Sequence, residues 1–247
     1  MTEDVSLEKD ELIRYDRQIR FLGVDAQKKL KRAKVLGAGV GGLGCPASLY
    51  LAAAGVGKLI LVDREVVELS NLNRQILYWT RDVGRPKVEA ASEKLRELNP
   101  DVDVEALCIE INEDNVLDLV KRVDLVIDGM DNWRTRFLMN SACVRTRKPF
   151  IHAGIYEMYG QLLVIIPRKG PCLQCIVPEP LPEIRLFPVL GTTPGVMAML
   201  QVTEAIKIIT GYGSPLIGKM IIYNGYDMQF EEVTVNRRPD CPICGEK

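Results

Sequence analysis

The stretch GAGVGGLGCP (37–46) holds five glycines in its first eight residues, between the apolar run KVL and the small-residue stretch ASLYLAAAG. Glycines spaced this way allow a tight turn and bring a helix N-terminus against an anion, so the stretch reads as a phosphate loop. Two frames satisfy G-x-G-x-x-G: Gly37, Gly39 and Gly42, or Gly39, Gly41 and Gly44. Asp63 ends the next apolar run, KLILVD, at the spacing where an acid binds ribose hydroxyls. On these residues alone, NAD and ATP fit equally well. Three further stretches favour ATP: SNLNRQ (70–75) supplies Arg74, GRPK (84–87) supplies Lys87, and DGMDN (128–132) supplies Asp131. Arg74 and Lys87 can neutralise phosphates. Asp131, read at the C-terminal end of a strand, can hold Mg²⁺, which takes one or two carboxylates plus phosphate oxygens. Triphosphate chemistry needs such cations and a metal acid; a dinucleotide site needs neither. Lys87 opposes the dipole of the helix it opens, a misfit that points to a nearby anion.

The cysteines suggest a second kind of chemistry. Cys172 with Cys175, and Cys241 with Cys244, form two C-x-x-C pairs, and four thiolates in two such knuckles suit tetrahedral Zn²⁺. Their 65 intervening residues are no compact finger, so the metal would tie the C-terminal region back onto the body in a structural role. Cys45, Cys108 and Cys143 fall in predicted helix or strand, where free thiols are buried and inert. The single histidine, His152, lies in a predicted strand and reads as a structural residue. Trp133 and Phe137, four apart on a helix, read as packing.

The elements that must carry these residues alternate. AKVLGA reads as a strand, the segment after the glycine turn as a helix ending near Gly55, and KLILVD as a buried parallel strand. RPKVEAASEKLRELNP is a helix with Pro86 in its first turn; DVDVEALCI and VDLVIDGMD are strands; about 132–147 is a helix, and PFIHAGI a strand. This order predicts a Rossmann-like, doubly wound, mainly parallel α/β sheet. GQLLVIIP then reads as an antiparallel strand, about 192–210 as a helix and KMIIYNGYDMQFEEVTV as a hairpin. Two helices precede everything, over about 6–21 and 25–32. The chain thus divides into N-terminal helices (1–32), a nucleotide-binding half (33–154) and a second half with the cysteine knuckle (155–247), all in one domain. Lys plus Arg number 32 against 33 Asp plus Glu, a balance that argues against nucleic-acid or membrane-surface binding. Residues 1–14 carry seven charges and no apolar block, and no apolar run nears the length of a membrane span, so a cytoplasmic protein is expected.

Taken in order, GVGGLGCP, LAAAGVGKLILVD, VELSNLNRQ, VGRPK, LNP, DLVIDGMDN and TR resemble the MoeB/ThiF/HesA family, adenylating relatives of the ubiquitin-activating enzymes. The resemblance runs from RYDRQI (14–19) to CPICG (241–245) and favours the frame Gly39, Gly41, Gly42 and Gly44. It implies ATP-dependent adenylation of the C-terminal carboxylate of a ubiquitin-like sulfur-carrier protein ending Gly-Gly, with release of pyrophosphate. It implies that Asp63 binds ribose, that Asn71 and Arg74 contact phosphates, that Lys87 stabilises charge and that Asp131 binds Mg²⁺; the same motifs add Ser70, Asn73 and Asn132 to the nucleotide contacts. It implies that Arg17 reaches the partner protomer's triphosphate, making a homodimer. Thioester-forming members carry a cysteine in the crossover segment that corresponds to 177–195, and this chain has none there. The expectation is an enzyme closest in logic to MoeB, stopping at the acyl-adenylate and served by a separate persulfide donor. The competing readings are an NAD-dependent oxidoreductase and a non-catalytic module that docks a ubiquitin-like tail.

Overall fold

A computed structural model describes residues 5–179, 181–182 and 187–245. Alternation of short apolar strands with helices gives one eight-stranded sheet, in the order β3-β2-β1-β4-β5-β6-β7-β8. Its parallel part comprises β1 (Lys34–Ala38), β2 (Lys58–Val62), β3 (Asp103–Leu107), β4 (Leu125–Asp128) and β5 (Phe150–Tyr156). β6 (Tyr159–Ile165), β7 (Lys219–Asn224) and β8 (Gln229–Thr234) continue it antiparallel. The four residues of β4 are all buried, as expected for a strand covered on both faces.

Helices cover both faces. Leu30 of α3 (Val24–Arg32), Leu51 of α4 (Gly44–Ala53), Leu95 of α5 (Lys87–Leu98) and Met197 of α9 (Thr192–Thr210) pack into one core. Val120 of α6 (Val116–Lys121), Met139 of α7 (Trp133–Thr146) and Leu173 of α8 (Leu173–Ile176) pack into the other, with the four paired cysteines. Gln201 of α9 donates to the carbonyls of Asp128 and Ile151, each at 2.9 Å, and pins that helix to the ends of β4 and β5.

Two expectations need correction. The helix read over 6–21 is broken into α1 (Lys9–Arg14) and α2 (Asp16–Leu22). Tyr15 turns inward at the break: its hydroxyl accepts from Asn99 at 2.8 Å, and its ring lies against Gly55. Pro86 caps α5 rather than entering its first turn, so Lys87 is the first helical residue.

Candidate active site

The parallel strands end at one edge, and their connections part between β1 and β4, the switch point where open α/β sheets bind ligands. After β1 the chain turns through residues 39–43 into α4. Gly39 has φ +89°, and a Cβ there would lie 2.6 Å from the carbonyl oxygen of Gly129. A Cβ on Gly44 would lie 2.0 Å from the carbonyl oxygen of Gly39. Both glycines are demanded by the approach of backbone to backbone. Gly41 and Gly42 instead border the side chains of Gln75, Arg74 and Pro194. Gly37 lies inside β1, so the turn is made by the frame Gly39, Gly41, Gly42 and Gly44.

Asp63 follows β2 and is tied to this turn. Its Oδ2 accepts from the Val40 N–H and its Oδ1 from the Glu65 N–H, both at 2.9 Å. Burial pushes its carboxyl above the ordinary value, against those two bonds and the nearby charge of Lys87. Segment 70–75 lies beside the turn: a Cβ on Gly42 would come within 3.6 Å of Arg74 Cδ. Arg74 is half-buried and donates to the Ser70 carbonyl at 3.0 Å and to Asn73 Oδ1 at 3.1 Å. Asn71 is buried, and its Oδ1 accepts from the Glu68 N–H at 3.1 Å; Ser70 Oγ donates to Glu68 at 3.2 Å. Asn71 and Ser70 are therefore engaged in their own turn.

Lys87 is buried, and its Nζ meets Glu65 Oε2 at 2.6 Å. The anion that its misfit with the helix dipole pointed to is, in this structure, the half-exposed carboxylate of Glu65. Glu65 ends in solvent, so the pair can part for a phosphate at modest cost.

β4 ends at Asp128, three residues before the acid expected to end it. Asp128 is sealed inside: His152 Nδ1 lies 2.5 Å from its Oδ2, the Met130 N–H donates to its Oδ1 at 2.9 Å, and Arg136 Nε stands at 3.3 Å. Burial holds the His152 imidazole below its usual pKa despite Asp128, so it is neutral at pH 7. The structural reading of His152 stands. Asp131 is exposed, its carboxylate accepting among the described residues only from the Asn132 amide at 3.3 Å, and Asn132 itself caps α7 by accepting from the Thr135 N–H at 2.9 Å. The loop carrying Asp131 abuts the glycine turn, because a Cβ on Gly39 would meet both Gly129 and Met130.

Arg17 is not brought to this edge. Its neighbour Gln18 donates to the Ala54 carbonyl at 2.9 Å, at the far end of α4. Ten residues of helix, ~15 Å, separate that point from the glycine turn.

Reasoning from sequence passed over two residues here, Glu65 and Gln75. Gln75 is buried beside Gly41 with its Oε1 unpartnered among the described residues. Its place directly after Arg74 in SNLNRQ was the available signal; Glu65 carried none, because its role depends on α5 lying alongside.

At the other end of the molecule, the Sγ atoms of Cys172, Cys175, Cys241 and Cys244 all lie within 4.8 Å of one another. Cys172 to Cys241 is 3.6 Å and Cys175 to Cys244 is 3.3 Å. A tetrahedral ZnS₄ centre with bonds near 2.3 Å has edges of about 3.8 Å, so the four thiols fit such an ion. Cys45 and Cys143 are buried, and burial pushes the Cys45 thiol up to about 12. Cys108 departs from expectation: it lies just past β3 and is exposed.

A switch-point crevice that gathers a glycine turn, a strand-end acid, two cations and an exposed acid is that of a nucleotide-binding α/β protein. More particularly, the chain belongs to the ThiF family, whose family model matches residues 15–243. It is 41% identical to the sulfur carrier protein adenylyltransferase of Thermus thermophilus, over 97% of this chain and 93% of that protein. It is 42% identical to the SAMP-activating enzyme E1 of Haloferax volcanii, over 98% of this chain and 92% of that protein. Among solved structures, E. coli MccB with ATP superposes with a TM-score of 0.84 at 28% identity, covering 94% of this chain and 74% of that one. Among the described residues, no helix is long and apolar enough to cross a membrane.

Proposed function

We propose that this chain adenylates the C-terminal Gly-Gly carboxylate of a ubiquitin-like sulfur-carrier protein at the expense of ATP. One observation carries the reading: Arg74 and the loop of Asp131 border the glycine turn on the switch-point edge, and the Lys87 charge acts on Asp63, which is hydrogen-bonded to that turn. The named activity of the Thermus and Haloferax relatives supports it. A carboxylate oxygen attacks the α-phosphorus, the bond from that phosphorus to the bridging oxygen breaks, and pyrophosphate leaves. Arg74 and Lys87, the latter exchanging Glu65 for phosphate, stabilise the charge that develops on the phosphate oxygens. Asp63, Asn71, Ser70, Asn73, Asn132 and Gly39, Gly41, Gly42 and Gly44 seat the nucleotide. Asp131 would hold Mg²⁺, which supplies charge neutralisation at the phosphates. No general base is required, since the attacking carboxylate is ionised near pH 7 and His152 is sealed behind Asp128. Carrier-dependent ATP–pyrophosphate exchange tests the reading; exchange independent of any Gly-Gly carrier would overturn it.

The half spanning 155–247 holds the carrier. Its β8 is an edge strand exposed along its whole length, Phe230 included, and Tyr156, Tyr159 and Tyr226 are also exposed in this half. An apolar, aromatic surface suits a folded partner whose tail must run on to the nucleotide edge. The four cysteines hold a structural zinc ion. Sulfur comes to the adenylated carrier from a separate persulfide donor in the cytoplasm.

The far placement of Arg17 supports a homodimer in which each chain lends it to the other's site. Arg17→Ala and Asp131→Ala are each expected to be nearly inactive alone. Mixing them under exchange conditions should restore about a quarter of the parental rate, since a random two-fold mixture is half heterodimer with one intact site. No recovery would place Arg17 outside the site.

Chemistry that ends at the adenylate needs no thiol. Segment 177–195 holds no cysteine, although its residues 180 and 183–186 lie outside those described. That leaves exposed Cys108 as the one accessible candidate among the described residues. Cys108→Ala is expected to form acyl-adenylate within a few-fold of the parent rate, roughly 1 kcal/mol or less in barrier. The parent should form no dithiothreitol-sensitive adduct with the carrier. Such an adduct, lost in Cys108→Ala, would show a thioester enzyme instead.

A further inference from the structure

At the edge of the sheet opposite the nucleotide loops, Arg145, Arg147, Arg168 and Arg237 line one cleft of about 250 Å³. The topology sets its distance from the active site. α7 starts beside Asp131 and runs fourteen residues, ~21 Å, before it reaches these arginines. At that far edge β5 begins and β6 ends, Phe150 pairing with Ile165, which brings Pro167 and Arg168 alongside. Ile243, Cys244 and Gly245 of the cysteine knuckle close the remaining wall. Three separate parts of the chain therefore contribute arginines to the lining of one small space, with Arg145, Arg147 and Arg168 exposed to solvent.

Among the described residues the charge there is unbalanced. Arg237 uses Nε and Nη2 on the carbonyl of Cys244, a neutral partner. The side chains of Arg145, Arg147 and Arg168 make no hydrogen bond or ion pair with any described residue. Glu113, which lines the adjoining hollow with Arg145, is already held by Arg134 at 3.0 Å, and Asp240 by Arg238 at 3.0 Å. Arg147 and Arg168 adopt φ of 60° and 71°, the left-handed region where glycine or asparagine sits at less cost. Like charges gathered with no counter-charge among the described residues repel one another, and a bound anion relieves that repulsion.

We infer that this cleft is a binding site for a small, multiply charged oxyanion of the phosphate type, separate from the nucleotide site. Guanidinium forks match the oxygens of phosphate in pairs. The volume lies below the ~300 Å³ at which pockets for larger ligands begin, so the cleft takes a phosphate group rather than a nucleotide. Because Arg237 already grips Cys244, the occupant rests against the cysteine knuckle and braces it. The site stands on its own geometry and does not depend on the carrier chemistry proposed above.

The test is calorimetric titration of inorganic phosphate into the full zinc-containing chain at constant ionic strength, repeated with the double variant Arg145→Ala, Arg168→Ala. The parent should bind one phosphate saturably, and the double variant should bind it at least ten-fold more weakly. Its melting temperature in chloride should equal or exceed the parent's, which rules out misfolding as the cause. A second pair, Arg145→Lys with Arg168→Lys, keeps the charge but loses the forks and should fall between the two. O-Phosphoserine as titrant separates the sources: tighter binding than inorganic phosphate assigns the cleft to a phosphorylated side chain, weaker binding to the free ion. No saturable binding by the parent, or an affinity unchanged in the double alanine variant, would overturn the inference.

Discussion

Replacing Asp131 by alanine is expected to lower carrier-dependent ATP–pyrophosphate exchange by at least ~10²-fold, because metal and charge stabilisation at reacting phosphates contributes several kcal/mol. The same change should leave the fold intact. Asp131 is exposed, its one side-chain hydrogen bond among the described residues is the 3.3 Å bond from Asn132, and the cap of α7 belongs to Asn132. A melting temperature close to the parent's is therefore part of the expected result. Asp128, three residues earlier, makes the informative contrast. Its carboxylate is fully buried among His152, Arg136 and the Met130 N–H, so Asp128→Ala would strand two buried partners and lower stability by several kcal/mol. Loss of exchange with an unchanged melt separates a residue that acts on the nucleotide from one that holds the loop. Near-parental exchange by the Asp131 variant would remove Asp131 from the mechanism.

Zinc is expected to copurify at one ion per chain, and stripping it with a strong chelator should lower the melting temperature by ~20 °C or more. The size follows from two quantities: structural zinc sites contribute of order 10 kcal/mol to folding, and each kcal/mol moves the melt of a chain this size by about 2–4 °C. The effect should be on stability before activity, since the knuckle lies at the sheet edge away from the nucleotide loops. It joins two cysteine pairs separated by 65 intervening residues, and its four sulfurs pack into the same core as α6 and α7. Arg238 already donates its N–H to Cys175 Sγ at 3.4 Å, a contact that orients the sulfur for a ligand. Freshly purified, reduced protein with no zinc by metal analysis would overturn the assignment.

Much of the fold was legible because each signal was local. Continuous apolar runs such as KLILVD mark strands covered on both faces, and α9 spans Thr192–Thr210, as the pattern over 192–210 indicated. α6 was missed; at six residues it is too short for helical periodicity to show. The break at Tyr15 was missed because its cause, Asn99 and Gly55, lies far along the chain. Cys108 was misplaced because β3, the outermost strand, stops at Leu107 and is only half-buried over its last three residues.

What the sequence determined by itself was the set of chemical groups and their order along the chain: a glycine turn, Asp63, Arg74, Lys87, Asp131 and two cysteine pairs. Motif spacing encodes these because a strand, a tight turn and a helix N-terminus are local structures whose residues must be neighbours. Only the tertiary structure decided which groups are free to act. It sealed Asp128 under His152 and left Asp131 exposed, paired Lys87 with Glu65, carried Arg17 to the far end of α4, and gathered four arginines at the opposite edge. Availability depends on partners contributed by distant segments, and those partners meet only when the sheet brings the loops together.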